Sequence, residues 1–218
     1  MNLAIFDLDN TLLGGDSDYL WGRFLVENGL VNSEIYEQEN RRFYEAYKVG
    51  TLNIYEFLNF ALRPLATNDP ADLYIWRKRF LEEKIRPIIL PKAIELLQKH
   101  RQAGDMLLII TATNRFVTQP IAETLGVPHL LATEVEMKDG RYTGKTFGIP
   151  CFQDGKVQRL AIWLEETGNT LESSWFYSDS LNDLPLLSQV TYPVAVDPDG
   201  PLANYAKAQS WPVISLRD

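Results

Sequence analysis

The sequence predicts an α/β protein in which a doubly wound parallel sheet carries a long all-helical insertion between its first two strands. Three observations lead there. Short, unbroken apolar runs recur along the chain, as strands buried on both faces of a parallel sheet require. Helical patterns fall between those runs, so strand and helix alternate. From Asp16 to Pro91 the alternation stops, and the chain shows helical periodicity with no strand-like run.

Taken in order, the first run is Leu3 to Phe6, which ends in "DLDNT". On a strand, side chains two apart share a face, so Asp7 and Asp9 are expected side by side, or converging where the strand frays. The insertion follows, with Trp21, Phe24, Leu25, Tyr36, Phe43, Tyr44, Tyr47, Phe57, Leu58, Phe60 and Trp76 spaced by about three and four, the mark of several amphipathic helices. Inserted after the first strand, such helices lie above the carboxyl ends of the sheet, where doubly wound folds bind ligands. The expected division is residues 1–15 and 92–218 as the core and 16–91 as a helical cap. "PKAIELLQKHRQAG" begins with proline, carries basic residues late and ends in glycine, all helix signals. The second strand is "MLLIIT", Met106 to Thr111, bounded by Gly104 and Asp105. "EVEMKDGRYTGK" reads as a surface hairpin turning at Lys138, Asp139 and Gly140. "SSWFYSDS" and "YPVAV" supply the remaining core strands.

Composition narrows the function. The chain has 218 residues, 45% hydrophobic and 23% charged, enough for a sizeable core. A formal net charge of −8 disfavours nucleic acid and anionic membranes, so a small ligand is the expected partner, bound by a monomer or small homo-oligomer. The lone Cys151 forms no internal disulfide and no thiolate metal site. With no signal-peptide pattern at the start and no run of membrane-spanning length, a cytoplasmic location is expected.

The ends of the predicted strands carry the chemistry. Asp7 and Asp9 end the first, Thr111 the second, and Asp179 and Asp183 of "SDSLND" the third; Lys156 stands at the helix start in "QDGKVQRL". Three or four carboxylates in one crevice repel one another, and oxygen ligands in that number suit Mg2+. A carboxylate beside such an ion can attack phosphorus and form an aspartyl-phosphate, the part given to Asp7. Asp9 can protonate the leaving oxygen, then deprotonate water, and offers its backbone carbonyl to the metal. The Thr111 hydroxyl and the adjacent backbone N–H groups, Ala112 included, can donate to a phosphoryl oxygen, and Lys156 can neutralise charge there and on Asp7. Asp179 completes the metal shell; Asp183, with Asn182 before it, holds a metal-bound water or orients Lys156. Singly, each of these residues reads as a turn, a helix cap or a solvated charge. His100 and His129 are left out as a helix-end cation and a loop residue.

As an ordered set, "DLDNT", "IITATN", the lone lysine and "SDSLNDLPLL" resemble the four motifs of the haloacid dehalogenase superfamily, over nearly the whole chain. The resemblance implies a Rossmann-like core and a Mg2+-dependent aspartyl-phosphate mechanism with Asp7 as nucleophile and Asp9 as acid and base. The helical insertion resembles the cap of the phosphoserine-phosphatase-like branch, and within it the bacterial group that includes histidinol-phosphate phosphatases. Phosphoserine phosphatases hold the substrate ammonium with an acidic residue where this chain has Asp16, with Asp18 close by, and the substrate carboxylate with a cap arginine. At the corresponding place this chain has Ala61, with Arg63 displaced. A phosphorylated amino alcohol such as histidinol phosphate needs no such arginine, and its ring could stack on Tyr19 or Trp21. Arg41, Arg42 and Arg63 keep phosphoserine as the alternative. A carbon–halogen hydrolase, which needs no acid at Asp9, and a silent phosphometabolite sensor fit less well.

Overall fold

A computed structural model describes residues 2–217. Seven strands form one sheet: β1 (Leu3–Phe6), β2 (Met106–Asn114), β3 (His129–Lys138), β4 (Arg141–Phe147), β5 (Ser174–Ser178), β6 (Tyr192–Val196) and β7 (Val213–Ile214), in the order β4-β3-β2-β1-β5-β6-β7. All pairings are parallel except β3 with β4. The four residues of β1 are buried throughout, with Ala4 and Phe6 in the apolar layer on one face and Leu3 and Ile5 in that on the other. Burial on both faces is why the sequence shows runs here and not alternation.

The core helices that flank this sheet are α6 (Pro91–Gln102), α7 (Arg115–Thr124), α8 (Asp154–Thr167), the short α9 (Leu184–Leu187) and α10 (Gly200–Ala208). Between β1 and α6 come α1 (Ser17–Glu27), α2 (Ser33–Lys48), α3 (Ile54–Ala61), the short α4 (Arg63–Thr67) and α5 (Pro70–Phe80), followed by a π turn at Leu81–Ile85 and a 3-10 turn at Arg86–Ile88. Asp16, Asn32, Asn53 and Asp69 cap α1, α2, α3 and α5 with their side-chain oxygens, so each helix start is set by a local polar residue. The chain leaves and re-enters the core side by side: Gly14 N–H donates to Ile88 O at 2.7 Å and Leu90 N–H to Leu12 O at 3.2 Å.

The apolar residues of these helices are continuous with one face of the sheet. Trp21, Phe24, Phe43, Phe60 and Phe80 share a cluster with Phe6, Ile109 and Val196. Trp21 is wholly buried against Phe24, Phe80 and Phe116, so it is core and not pocket wall.

Three expectations are corrected here. β2 runs on to Asn114, past the expected end at Thr111, with its pairing to β3 irregular between Ile110 and Asn114. β1 stops at Phe6, so Asp7 and Asp9 sit in a turn and strand alternation does not govern them; Asn10 adopts a positive φ of 58°, and Leu12 N–H returns to Leu8 O at 2.9 Å. The hairpin does turn at Asp139 and Gly140, both at positive φ, yet it is no mere surface arm. β3 is a core strand, and Gly144 on β4 packs against Ala66 and Leu62 near α4.

Candidate active site

The site lies where β1, β2 and β5 end and α8 begins. Asp7 follows β1, with its N–H still donating to Tyr177 O on β5 at 2.9 Å, so the ladder positions its side chain. Lys156 sits in the first turn of α8. That turn is tight: a Cβ on Gly155 would collide with the Pro150 carbonyl, and Gln153, just before the helix, has a positive φ of 49°. Lys156 is therefore delivered to the sheet edge by a turn that no side chain at 155 would allow.

Lys156 Nζ donates to Asp7 Oδ1 at 2.7 Å and to Asp183 Oδ2 at 2.8 Å, with all three side chains buried. Ser178 at the end of β5 donates to the same Asp183 oxygen at 2.7 Å. Burial alone would lower the Lys156 pKa, but Asp183 and Asp7 outweigh it and push it up, so the ammonium stays charged. Asp9 is held from both sides, Ser17 N–H donating to Oδ1 at 2.7 Å and Thr113 Oγ1–H to Oδ2 at 2.8 Å. Burial raises both the Asp7 and Asp9 carboxyls to about 7; Lys156 opposes this at Asp7, while the charge of Asp16 adds to it at Asp9. Asp179 is raised well above the usual carboxylate range by burial and then by Asp7 and Asp183, and it accepts from Thr11 Oγ1 at 3.2 Å.

Above this floor opens a cavity lined on the sheet side by Asp7, Asp9, Thr111, Ala112 and Thr113. Thr111 Oγ1 accepts from Thr113 N–H at 3.2 Å, which leaves its own proton free to donate. The Ala112 carbonyl is tied to Thr133 Oγ1 at 2.7 Å. The remaining wall is helical: Asp16, Asp18 and Tyr19 from α1, Asn40, Phe43, Tyr44 and Tyr47 from α2, and Phe57 from α3 among them. No arginine, lysine or histidine lines this cavity among the described residues. Arg42 is turned outward to Glu39 and Glu56, and Arg41 and Arg63 line separate surface hollows.

Of the ten residues expected at this site, Asp7, Asp9, Asp16, Asp18, Thr111 and Ala112 line the cavity, Lys156 binds both Asp7 and Asp183, and Asp179 feels the charges of those two aspartates. Asn182 does not touch the carboxylates. Its Nδ2 donates to the Tyr47 carbonyl at the end of α2 at 3.2 Å, and its Oδ1 accepts from Gln153 at 2.9 Å, so it ties the β5 loop to the inserted helices. His100 does lie in the last turn of α6. It is buried between Asp105 at 2.7 Å and Tyr177 at 2.8 Å.

The expectation of three or four converging carboxylates also changes. Among the described residues no three His, Cys, Asp or Glu side chains stand close enough to ligate a metal by themselves. Each Asp9 oxygen already accepts one hydrogen bond, and its backbone carbonyl is a further oxygen able to serve as a ligand. The residues nevertheless suit a hard cation. Asp7 Oδ2 is buried with no hydrogen-bond partner, an orphan shared among the buried side chains of the described residues only with Ser17 Oγ, and a cation would satisfy it.

Strand ends that present two aspartates, a threonine, a lysine on a later helix and a last acidic loop, in that chain order, define a class, and the chain belongs to it: the haloacid dehalogenase-like hydrolase family, whose model matches residues 4–188. Individual relatives are close. The chain is 45% identical over 220 residues, 99% of each protein, to the histidinol-phosphatase of Neisseria meningitidis serogroup C (strain 8013). A crystal structure of a protein with unknown function from Bordetella pertussis Tohama I is 43% identical and superposes with a TM-score of 0.93, covering 99% of this chain and 98% of that one. A phosphoserine phosphatase bearing a phospho-aspartyl intermediate analogue shares the fold at 19% identity, with a TM-score of 0.72 over 99% of this chain and 93% of its own.

Proposed function

We propose that this protein is a Mg2+-dependent phosphoric monoester hydrolase that works through an aspartyl-phosphate on Asp7 and takes histidinol phosphate as substrate, a reaction of histidine biosynthesis. The observation that carries the reading is the Asp7 carboxylate, one oxygen held by Lys156 beneath it and the other unpartnered, at the floor of an acidic and aromatic cavity that no cationic side chain lines among the described residues. In this reading residues 16–91 cap a core made of 1–15 and 92–218, and α1 to α3 choose the substrate.

Asp7 attacks phosphorus, forming an oxygen–phosphorus bond as the bond to the substrate oxygen breaks. Asp9 gives that oxygen its proton; burial favours the protonated form from which it does so. Ser17 N–H and Thr113 Oγ1 hold Asp9 in one orientation for this transfer. Water then attacks the same phosphorus, Asp9 takes its proton, and phosphate leaves as the Asp7 carboxylate is restored. Lys156 and the Thr111 hydroxyl stabilise charge on the phosphoryl oxygens, and Asp183 with Ser178 keeps the Lys156 ammonium aimed at Asp7. Asp7, Asp179 and the Asp9 carbonyl would hold Mg2+, which would supply the positive charge that offsets repulsion between a phosphate dianion and these carboxylates.

For the substrate, Asp16 suits an ammonium group, while a buried carboxylate would find no arginine in this cavity. That favours an amino alcohol ester over phosphoserine. The relative from Neisseria meningitidis is itself a histidinol-phosphatase. The test is phosphate release, with Mg2+, from histidinol phosphate, phosphoserine and p-nitrophenyl phosphate. The highest kcat/KM is expected on histidinol phosphate; no release from any ester, or a preference for phosphoserine, overturns the reading.

A further inference from the structure

The cavity carries more acid than a single ammonium group needs. Asp16 and Asp18 both line it, with no cationic side chain in the lining. Asp16 is partly spent on the fold, since its Oδ1 caps α1 by accepting from Tyr19 N–H at 2.8 Å. Asp18, two residues on in the first turn, accepts no side-chain hydrogen bond from the described residues, and lies within reach of the charges of Asp16 and Asp9.

From the neighbouring helix, Asn40 lines the same cavity while only 6% exposed. Its Nδ2 donates to the Tyr19 carbonyl at 3.1 Å, which sets the amide's orientation and leaves Oδ1 as an acceptor. The position is enforced by close helix packing: a Cβ on Gly22 would lie 2.7 Å from Asn40 Nδ2. Around these two polar groups the walls are rings. Tyr19 and Tyr44 stack with centroids 4.6 Å apart, and Phe43 and Phe57 meet edge to face at 5.4 Å.

We infer that Asp18 and Asn40 form a second recognition point, separate from the ammonium partner Asp16, that accepts the N–H groups of a flat basic ring at the end of the substrate remote from phosphorus. The inference rests on the proposed function and adds which residues read the imidazole. An imidazolium offers two in-plane N–H donors and a positive charge, matched by one carboxylate and one amide oxygen, and its faces suit tyrosine and phenylalanine rings. An ester with an ammonium and no ring leaves the half-buried Asp18 carboxylate and the Asn40 amide oxygen without a donor from the substrate, so the site rejects it more strongly than lost contact area alone would.

The test measures kcat and KM with Mg2+ for histidinol phosphate and for O-phosphoethanolamine, which keeps the ammonium and lacks the ring, in the wild type and in Asp18→Asn and Asn40→Ala. The ratio of the two kcat/KM values is expected to fall by about tenfold or more in each variant, carried mainly by KM for histidinol phosphate. Thermal melts and calorimetric binding of the product histidinol keep the result readable if Asn40→Ala loosens the contact between α1 and α2, because Asp18→Asn is isosteric. A wild type that turns over histidinol phosphate, with a ratio within twofold of its own value in Asp18→Asn, overturns the inference alone. A wild type that releases phosphate from p-nitrophenyl phosphate and ignores histidinol phosphate overturns the substrate reading and the inference together.

Discussion

At the floor of the cavity each ionic side chain has fixed partners, Lys156 between Asp7 and Asp183 and Asp9 between Ser17 and Thr113, whereas the wall formed by α1 to α3 holds Asp16 and Asp18 with no cation beside them. The floor is built from strand ends and one helix start whose backbones are pinned by the sheet. The helical wall depends on packing of Trp21, Phe24 and Phe80 for its placement and on its inward polar groups for its chemistry. Phosphoryl transfer needs the same few groups whatever the ester, so the floor tolerates little change. Selectivity is a difference in affinity, and a wall held by apolar contacts can exchange its inward residues without losing the fold.

The sharpest way to break this contrast is at Asp7. Asp7→Asn keeps the size and removes the proposed nucleophile, and a fall in kcat of roughly a thousandfold or more is expected, with the melting temperature little changed. Ordinary phosphate release by that variant would show that the floor does not do the chemistry.

Next comes Lys156→Met, which strands two buried carboxylates. Breaking a buried pair from one side costs about 3–5 kcal/mol, to be read as a drop in midpoint in urea unfolding, together with loss of activity. A change near zero would mean that the floor is less tightly coupled than its geometry indicates.

Chelation should abolish phosphate release. Readdition of Mg2+ at a hundred times its dissociation constant should stabilise the fold by about 2.7 kcal/mol, a gain absent from Asp179→Asn.

The wall gives smaller, differently shaped effects. Tyr44→Leu, at a half-buried ring stacked on Tyr19, is expected to raise KM by about tenfold with kcat held within a factor of three, and with little change in melting temperature.

The smallest effect lies away from the cavity. Glu134 on β3 accepts from Arg115 at 2.7 Å and from Arg159 on α8 at 2.9 Å, and although burial pushes its carboxyl up, these two arginines hold it below the ordinary glutamate value. A depressed folded pKa means that its contribution is present above that value and lost as pH falls through the folded one. Glu134→Gln should cost at most about 1 kcal/mol near neutral pH and should flatten the acid side of the stability profile.

How much of this was readable in advance follows from how local each signal is. Asp7, Asp9, Thr111, Lys156 and Asp179 announce themselves because each sits where an apolar run or helix pattern breaks, and the order of those breaks is itself informative. Thr11, Ser17, Thr113 and Ser178, which hold the carboxylates, were missed, since small hydroxyls are common in every loop. Thr113 had one faint signal, its place two residues beyond Thr111 on the same strand. Trp21 and Tyr19 could not be told apart from spacing, although one is core and the other lines the cavity. The arginines were equally opaque, because helical periodicity does not say which neighbour a side chain on the polar face will meet.

From the chain alone came the parallel sheet, the helical insertion and the residues at the strand ends, because apolar periodicity and breaks in it are properties of neighbouring positions. The absence of arginine from the cavity lining among the described residues, the orphaned Asp7 oxygen and the placing of Asp18 and Asn40 in one cavity came from packing. Each depends on distances between residues far apart in sequence, such as α1 against α2 and α8 against β1, and those distances exist only once the apolar faces have been buried together.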